Sequence, residues 1–257
     1  MKIVLNCLFF LLSTIAFSQN SVQVSISNSN WNNKTILAEL FGKTYVESIG
    51  SAKWKPYAGE AVQCSFDGFC YTTIDSIYNF KNESLNYKIV VLKTISYADN
   101  DFMGPSMAEG STVGIALFSE EKNNWKLVNF NRSLILNGAA GILGNIELID
   151  LGNSSLLLAL SDTEHQETDT HTHLFSLDTT NFGMKVFSTR TFHRIMDEND
   201  AIYIYEFSEF SIKKASSENE EPVMELLKKR TTIKEEIEST EVLSKSLLKF
   251  NGVGFYE

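Results

Sequence analysis

Along most of the chain, apolar residues alternate with polar ones or gather in short blocks closed by turn residues. Val22 to Ser27 sets Val22, Val24 and Ile26 against polar neighbours, a period of two that belongs to a half-buried strand. Tyr87 to Tyr97 is rich in β-branched residues and predicts a central strand. Thr112 to Phe118 predicts another, and Trp125 to Leu136 one or two more. Ile146–Leu151 and Ser155–Leu160, separated by Gly152-Asn153-Ser154, predict a hairpin. Thr170–Leu177 and Met184–Thr191 continue the series. Ala201–Ile212 places Tyr203, Tyr205 and Phe207 on one face and Phe210 and Ile212 on the other, which predicts a bulge near Ser208.

Other segments carry turn signals. Val62 to Phe80 reads as a hairpin turning at Asp67-Gly68. Asn251-Gly252 suits a two-residue turn between Leu247–Phe250 and Val253–Tyr256. Lys34 to Phe41 groups Ile36, Leu37 and Leu40 at helical spacing, with Asn33 as its cap. Pro222 to Ser244 fits either a helical stripe or a strand, a charged loop at about 234–241 and a second strand; its β-like Arg230-Thr231-Thr232-Ile233 favours the strands. The fold class that follows is all-β: antiparallel hairpins or a meander of about a dozen strands, arranged as a sandwich, barrel or propeller, with at most one or two short helices. No linker divides the chain, so residues 19–257 are expected to form a single β-rich domain.

The first 18 residues break this pattern. Lys2 leads an apolar run from Val4 to Phe17, and Ala16 and Ser18 place small residues before Gln19. This is the grammar of a secretory signal peptide, too short to span a bilayer comfortably. The expected location is secreted or periplasmic. Cleavage removes Lys2 alone among the charged residues, so the remainder is one unit more acidic than the −10 of the full chain. That charge disfavours nucleic acid and anionic lipid as partners. No later apolar run reaches spanning length, so the processed chain is not expected to be membrane-embedded.

Cleavage also removes Cys7 and leaves Cys64 and Cys70 as an even pair. They flank a stretch containing Asp67-Gly68, and in an oxidising compartment a disulfide is expected. A redox-active pair would ordinarily have two intervening residues at a helix start, whereas here there are five in a turn.

Candidate chemistry concentrates in Asp162 to His173 (DTEHQETDTHTH), where three of the chain's four histidines fall. Two-residue spacing in a strand puts His171 and His173 on one face, as a divalent metal needs, with His165, Glu164, Glu167 and Asp169 as further donors. Zinc suits neutral imidazole. A polar hairpin loop explains the same residues without a metal, and no other cofactor is implied. Asp99-Asn100-Asp101-Phe102-Met103-Gly104 starts like a calcium loop but has Met103 at the fifth place and Gly110 at the twelfth, where a bidentate Glu is required. Gly104-Pro105-Ser106-Met107-Ala108 resembles a degenerate nucleophile elbow without the strand and helix that device needs. No pair stands out among the 32 carboxylates for glycoside hydrolysis. The Tyr203, Tyr205, Phe207 row reads as core, and Trp54-Lys55-Pro56-Tyr57 as an exposed aromatic cluster in a loop.

Tyr87–Tyr97, Val113-Gly-Ile-Ala-Leu-Phe118, Trp125-Lys-Leu, Ile146-Glu-Leu-Ile149 and Lys249-Phe-Asn-Gly252 resemble uncharacterised secreted or periplasmic all-β proteins of Bacteroidota-type bacteria. The resemblance covers residues 85–257, rests on generic strand and turn words and implies no catalytic residue. The expected function is a non-catalytic binding or structural module, with a protein or glycan of the cell envelope as partner. The alternatives are a cell-envelope hydrolase with no located site and a divalent-metal-binding protein using His171 and His173.

Overall fold

A computed structural model describes residues 24–256 except 43, 61, 63, 65–67, 83–84, 96–110, 139–142, 153–154, 164–168, 198–201, 218–219 and 235. The signal segment therefore lies outside the described residues, as do His165, Asp99–Met103 and Ser106. The described chain is all-β, with two antiparallel sheets, one of them curled into a half-barrel.

The strands are β1 (Ser25–Ser27), β2 (Tyr45–Val46), β3 (Ser51–Trp54), β4 (Cys70–Asn82), β5 (Leu85–Ile95), β6 (Ser111–Glu121), β7 (Asn124–Asn137), β8 (Ile146–Gly152), β9 (Ser155–Thr163), β10 (Asp169–Ser176), β11 (Lys185–Asp197), β12 (Ile202–Lys213), β13 (Val223–Lys234), β14 (Ile237–Phe250) and β15 (Phe255–Tyr256). One α-helix, α1, spans Asn33–Leu40. The first sheet has the order β1-β7-β6-β5-β4-β3-β2, and the second runs β15 to β8 in sequence order. β5 is the central strand of its sheet, as its β-branched sequence predicts. β1 adds to the far edge beside β7, so the chain must cross the sheet to reach β2, and α1 carries it across. Ile36 and Leu37, the apolar face of α1, are fully buried.

Three apolar clusters hold the layers. The first joins α1 to one face of the first sheet through Ile36, Leu37, Trp54, Val90, Leu92 and Phe118. The second joins the opposite face to β9 and β10, bringing Ile89, Val91, Val113, Ile115 and Leu117 against Leu158, Leu160 and Phe175. The third packs Leu157, Ala159, Leu174, Met224, Leu248 and Phe250 on the other face of the second sheet. β6 and β9 are thus covered on both faces. Their unbroken apolar runs follow from that, because each parity has its own core. Just after β12, Ala215 N–H donates to the Leu151 carbonyl of β8 at 2.9 Å, tying the edge strand to the end of a strand four places along the second sheet. Gly152, with φ +79°, lets the backbones approach: a Cβ there would stand 2.5 Å from the Ala215 carbonyl oxygen.

Several local expectations are corrected. The helix cap is Asn32, whose side chain accepts from Thr35 N–H, and Asn33 is the first helical residue. Val62–Phe80 is not a hairpin: β4 begins at Cys70 and pairs with β3, Trp54 opposite Cys70. Residues 65–67 lie outside the described residues. β13 and β14 pair from Lys234 opposite Ile237, so the charged loop expected at 234–241 shrinks to two residues. Glu236 takes φ +67° there, a turn that glycine would have announced. Register is unbroken through Ser208. Bulges lie in other strands instead: in β11 at Thr191 and Val186, and in β14 at Leu243, between the Lys228–Ser244 and Lys229–Val242 pairs. Phe210 and Ile212 pack into the third cluster, while Tyr205 and Phe207 stack with Phe192 on the other face, half-buried rather than core. Before β15, a four-residue loop replaces the two-residue turn: Phe250 pairs with Phe255, and the Asn251 side chain accepts from Val253 and Gly254 N–H.

Candidate functional site

Between Val113 and Ile115, β6 advances two residues. Its partner β7 advances four, from Ile135 to Asn131. The surplus residues of β7 form a bulge that turns Arg132 and Ser133 out of the regular pleat. Gly114 is the residue beneath them, where a Cβ would stand 2.9 Å from the Arg132 carbonyl oxygen.

Arg132 enters a cleft of about 670 Å³ lined by Leu40, Tyr57, Glu60, Asn129, Phe130, Asn131, Ser133 and Phe182. Its guanidinium lies between two rings, 4.5 Å from the centre of Trp54 and 4.2 Å from that of Tyr57. Arg132 Nε donates to Glu60 Oε1 and Nη2 to Oε2, both at 2.6 Å, a bidentate pair. Ser133 Oγ donates to Glu60 Oε1 at 3.2 Å, and Tyr57 N–H donates to Glu60 Oε2 at 2.9 Å. Glu60 N–H in turn donates to the Tyr57 carbonyl, closing a turn whose third residue, Gly59, has φ +85°. Side-chain exposure is 19% for Arg132 and 14% for Glu60. Burial opposes ionisation of Glu60, but the bonds from Arg132, Tyr57 N–H and Ser133 outweigh it and hold the carboxyl below the usual glutamate value.

Trp54 is not the exposed aromatic that its loop-like sequence suggests. It ends β3, is 5% exposed, and stacks on Phe41 with ring centres 5.2 Å apart. Its indole N–H donates to Thr72 Oγ1 at 2.8 Å, and Thr72 shares a 2.6 Å hydrogen bond with Thr94. Tyr57 is 73% exposed despite its contact with Arg132. The far wall is the turn after β10. Asn129 Nδ2 donates to the Thr179 carbonyl at 2.8 Å. Gly183, with φ +75°, admits Asn131, whose Nδ2 would meet a Cβ there at 2.9 Å.

The sequence-predicted residues fall elsewhere. Cys64 and Cys70 are joined by a disulfide, with Cα atoms 4.3 Å apart. His171 and His173 share one face of β10, their rings nearly parallel with centres 6.2 Å apart. His173 Nδ1 lies 2.8 Å from Ser188 Oγ. His193, which the motif reading missed, joins this face from β11. Its Nδ1 is 2.6 Å from Asp169 Oδ1, which Arg190 Nε approaches at 3.3 Å. Among the described residues, no three His, Cys, Asp or Glu side chains gather as metal ligands would. None of Glu60, Asn129, Arg132 and Ser133 carried a binding or catalytic motif; Arg132 and Ser133 stood only in the Asn131-Arg132-Ser133 glycosylation sequon. Glu60 and Arg132 stand 72 residues apart, and only the Gly59 turn and the loop-forming Pro56 marked the neighbourhood.

By fold, then, the chain is a two-sheet all-β protein, and the Arg132 cleft among its described residues is polar with its charges internally paired. No protein-family model, curated protein or solved structure matches it. Among the described residues, no helix is long and apolar enough to cross a membrane.

Proposed function

We propose that this chain is a secreted or periplasmic, non-catalytic binding module whose ligand enters the Arg132 cleft. The observation that carries the reading is the state of Glu60. It is the one carboxylate among the described residues lining the cleft, and every partner it has favours its ionised form. A general acid or base needs a carboxyl that exchanges protons near the working pH. Glu60 is held below its ordinary value and bonded through both oxygens. The cleft presents hydrogen-bonding groups that the protein already holds in place, which suits binding. The apolar leader of residues 1–18 supports export, and the Cys64–Cys70 bridge is compatible with an oxidising destination.

Two measurements test the proposal. The full chain, expressed with its own leader in a bacterial host, is recovered from the periplasm or medium with Gln19 as its first residue. Recovery from the cytosol with Met1 intact overturns the export reading. The processed protein then binds isolated cell-envelope material of the organism that makes it, and Arg132→Ala and Tyr57→Ala both weaken that binding. Equal binding by wild type and both variants overturns the placement of the site.

A further inference from the structure

The Tyr57 ring combines high exposure with support from Arg132 on one face. That face rests on the Arg132 guanidinium, which Glu60 grips bidentately and Trp54 backs. Trp54 is itself pinned through Thr72 to Thr94. A ring that is 73% exposed ordinarily loses rotamer freedom when a ligand stacks on it. Here much of that ordering is already in place. An exposed aromatic face backed by a cation offers an apolar surface with a polar rim.

The groups around the Tyr57 ring are neutral in sum. Asn129 and Asn131 bring amides, Ser133 a hydroxyl, and the charges of Glu60 and Arg132 cancel within one bidentate pair. A phosphate or carboxylate ligand would need an uncompensated cation, and a cationic ligand an uncompensated carboxylate; the described lining offers neither. The chain's net charge of −10 also repels polyanions. Each amide has capacity to donate and accept beyond the bond it makes within the protein, and the Ser133 hydroxyl, its proton on Glu60, can accept, which matches the neighbouring hydroxyls of a sugar ring. The volume of about 670 Å³ falls within the roughly 300–1,000 Å³ of small-ligand sites.

We propose that the Arg132 cleft binds a neutral saccharide, one ring stacking on the face of Tyr57 away from Arg132 and its hydroxyls bonding to Asn129, Asn131 and the Glu60–Arg132 pair. This rests on the binding-module reading and names its ligand class. Backbone amides of a protein partner are the competing chemistry, and the experiment separates the two.

Processed protein is titrated calorimetrically with the tetrasaccharides of β-1,4-glucan, xylan, mannan and chitin, and with tetragalacturonate as the anionic control. In parallel it is mixed with isolated envelope material, untreated, protease-treated or periodate-oxidised. The expected result is binding of at least one neutral tetrasaccharide, or envelope binding that survives protease and is lost on periodate oxidation. Tyr57→Ala should weaken that binding by about tenfold or more, while Tyr57→Phe, which keeps the ring, stays within about threefold. An unchanged melting temperature of Tyr57→Ala separates lost binding from lost folding. Envelope binding abolished by protease, with no tetrasaccharide bound, overturns the saccharide and leaves the module standing. No binding to any of these materials overturns both. A saccharide bound equally well by Tyr57→Ala, or tetragalacturonate bound in preference to every neutral sugar, overturns the site or the ligand class proposed here.

Discussion

Gly114 of β6 and Arg132 of β7 lie back to back: a Cβ on Gly114 would stand 2.9 Å from the Arg132 carbonyl oxygen and 3.1 Å from its Cα. The glycine makes room for the bulge that aims Arg132 into the cleft. Gly114→Ala is therefore expected to destabilise the protein by about 1–3 kcal/mol, since the neighbour it would strike is backbone and must move. Urea unfolding gives the size of the loss. A wild-type midpoint for Gly114→Ala would mean the bulge can shift at no cost.

The Glu60–Arg132 pair is expected to stabilise the fold in a pH-dependent way. The Glu60 carboxyl is held below the ordinary glutamate value of 4.5 in the folded protein. A depressed folded value means that the contribution is complete above the unfolded value and is lost as the pH falls through the folded one. Glu60→Gln should cost about 1.5–3 kcal/mol at pH 7, the loss of hydrogen bonds to a charged partner. The gap between wild type and variant should narrow below about pH 4.5. Urea unfolding of both proteins from pH 7 to pH 3 checks this, and a gap that is constant across the range would rule out the linkage.

The Cys64–Cys70 disulfide closes a short loop at the entrance to β4, and Cys70 is fully buried. Chain-entropy arguments give a short loop of this kind about 2 kcal/mol. Cys64→Ser, the less disruptive change because it spares the buried sulfur, should lower stability by about that amount. Labelling of the processed protein without reductant should find no reactive thiol from this pair; two labelled cysteines would contradict the bridge.

The α1 cap distinguishes neighbouring asparagines. Asn32 Oδ1 accepts from Thr35 N–H at 3.0 Å, whereas Asn33 is the first helical residue. Asn32→Ala should cost about 1 kcal/mol. Asn33→Ala should stay within about 0.5 kcal/mol, as at an ordinary surface position. Equal effects in thermal unfolding would place the cap wrongly.

The fold class was legible because strand signals are local. The β-branched run of Tyr87–Tyr97 and the spacing of Ile146–Leu151 and Ser155–Leu160 fix their elements within a few residues of one another. β3 was missed because four residues, Ser51-Ala52-Lys53-Trp54, carry too little pattern; its strand character comes from pairing with β4. The change of face along Ala201–Ile212 suggested a bulge because one core was assumed. With Phe210 and Ile212 in the third cluster and Tyr205 and Phe207 stacked on Phe192, the same alternation needs none.

The site was illegible for a different reason. Histidines at two-residue spacing advertise themselves, and His171 and His173 do share a face. Glu60 and Arg132 are ordinary residues 72 positions apart, joined by a turn at one end and a bulge at the other.

By itself the sequence determined strands, a short helix, an acidic charge balance and a pair of cysteines placed to bridge, because each follows from residue types close together in the chain. The tertiary structure decided which strands share a sheet and which faces are buried. It alone placed Arg132 between Trp54 and Tyr57 with Glu60 across it. Non-local pairing sets those relations, and a register shift of one residue in β7 would turn Arg132 to the other face.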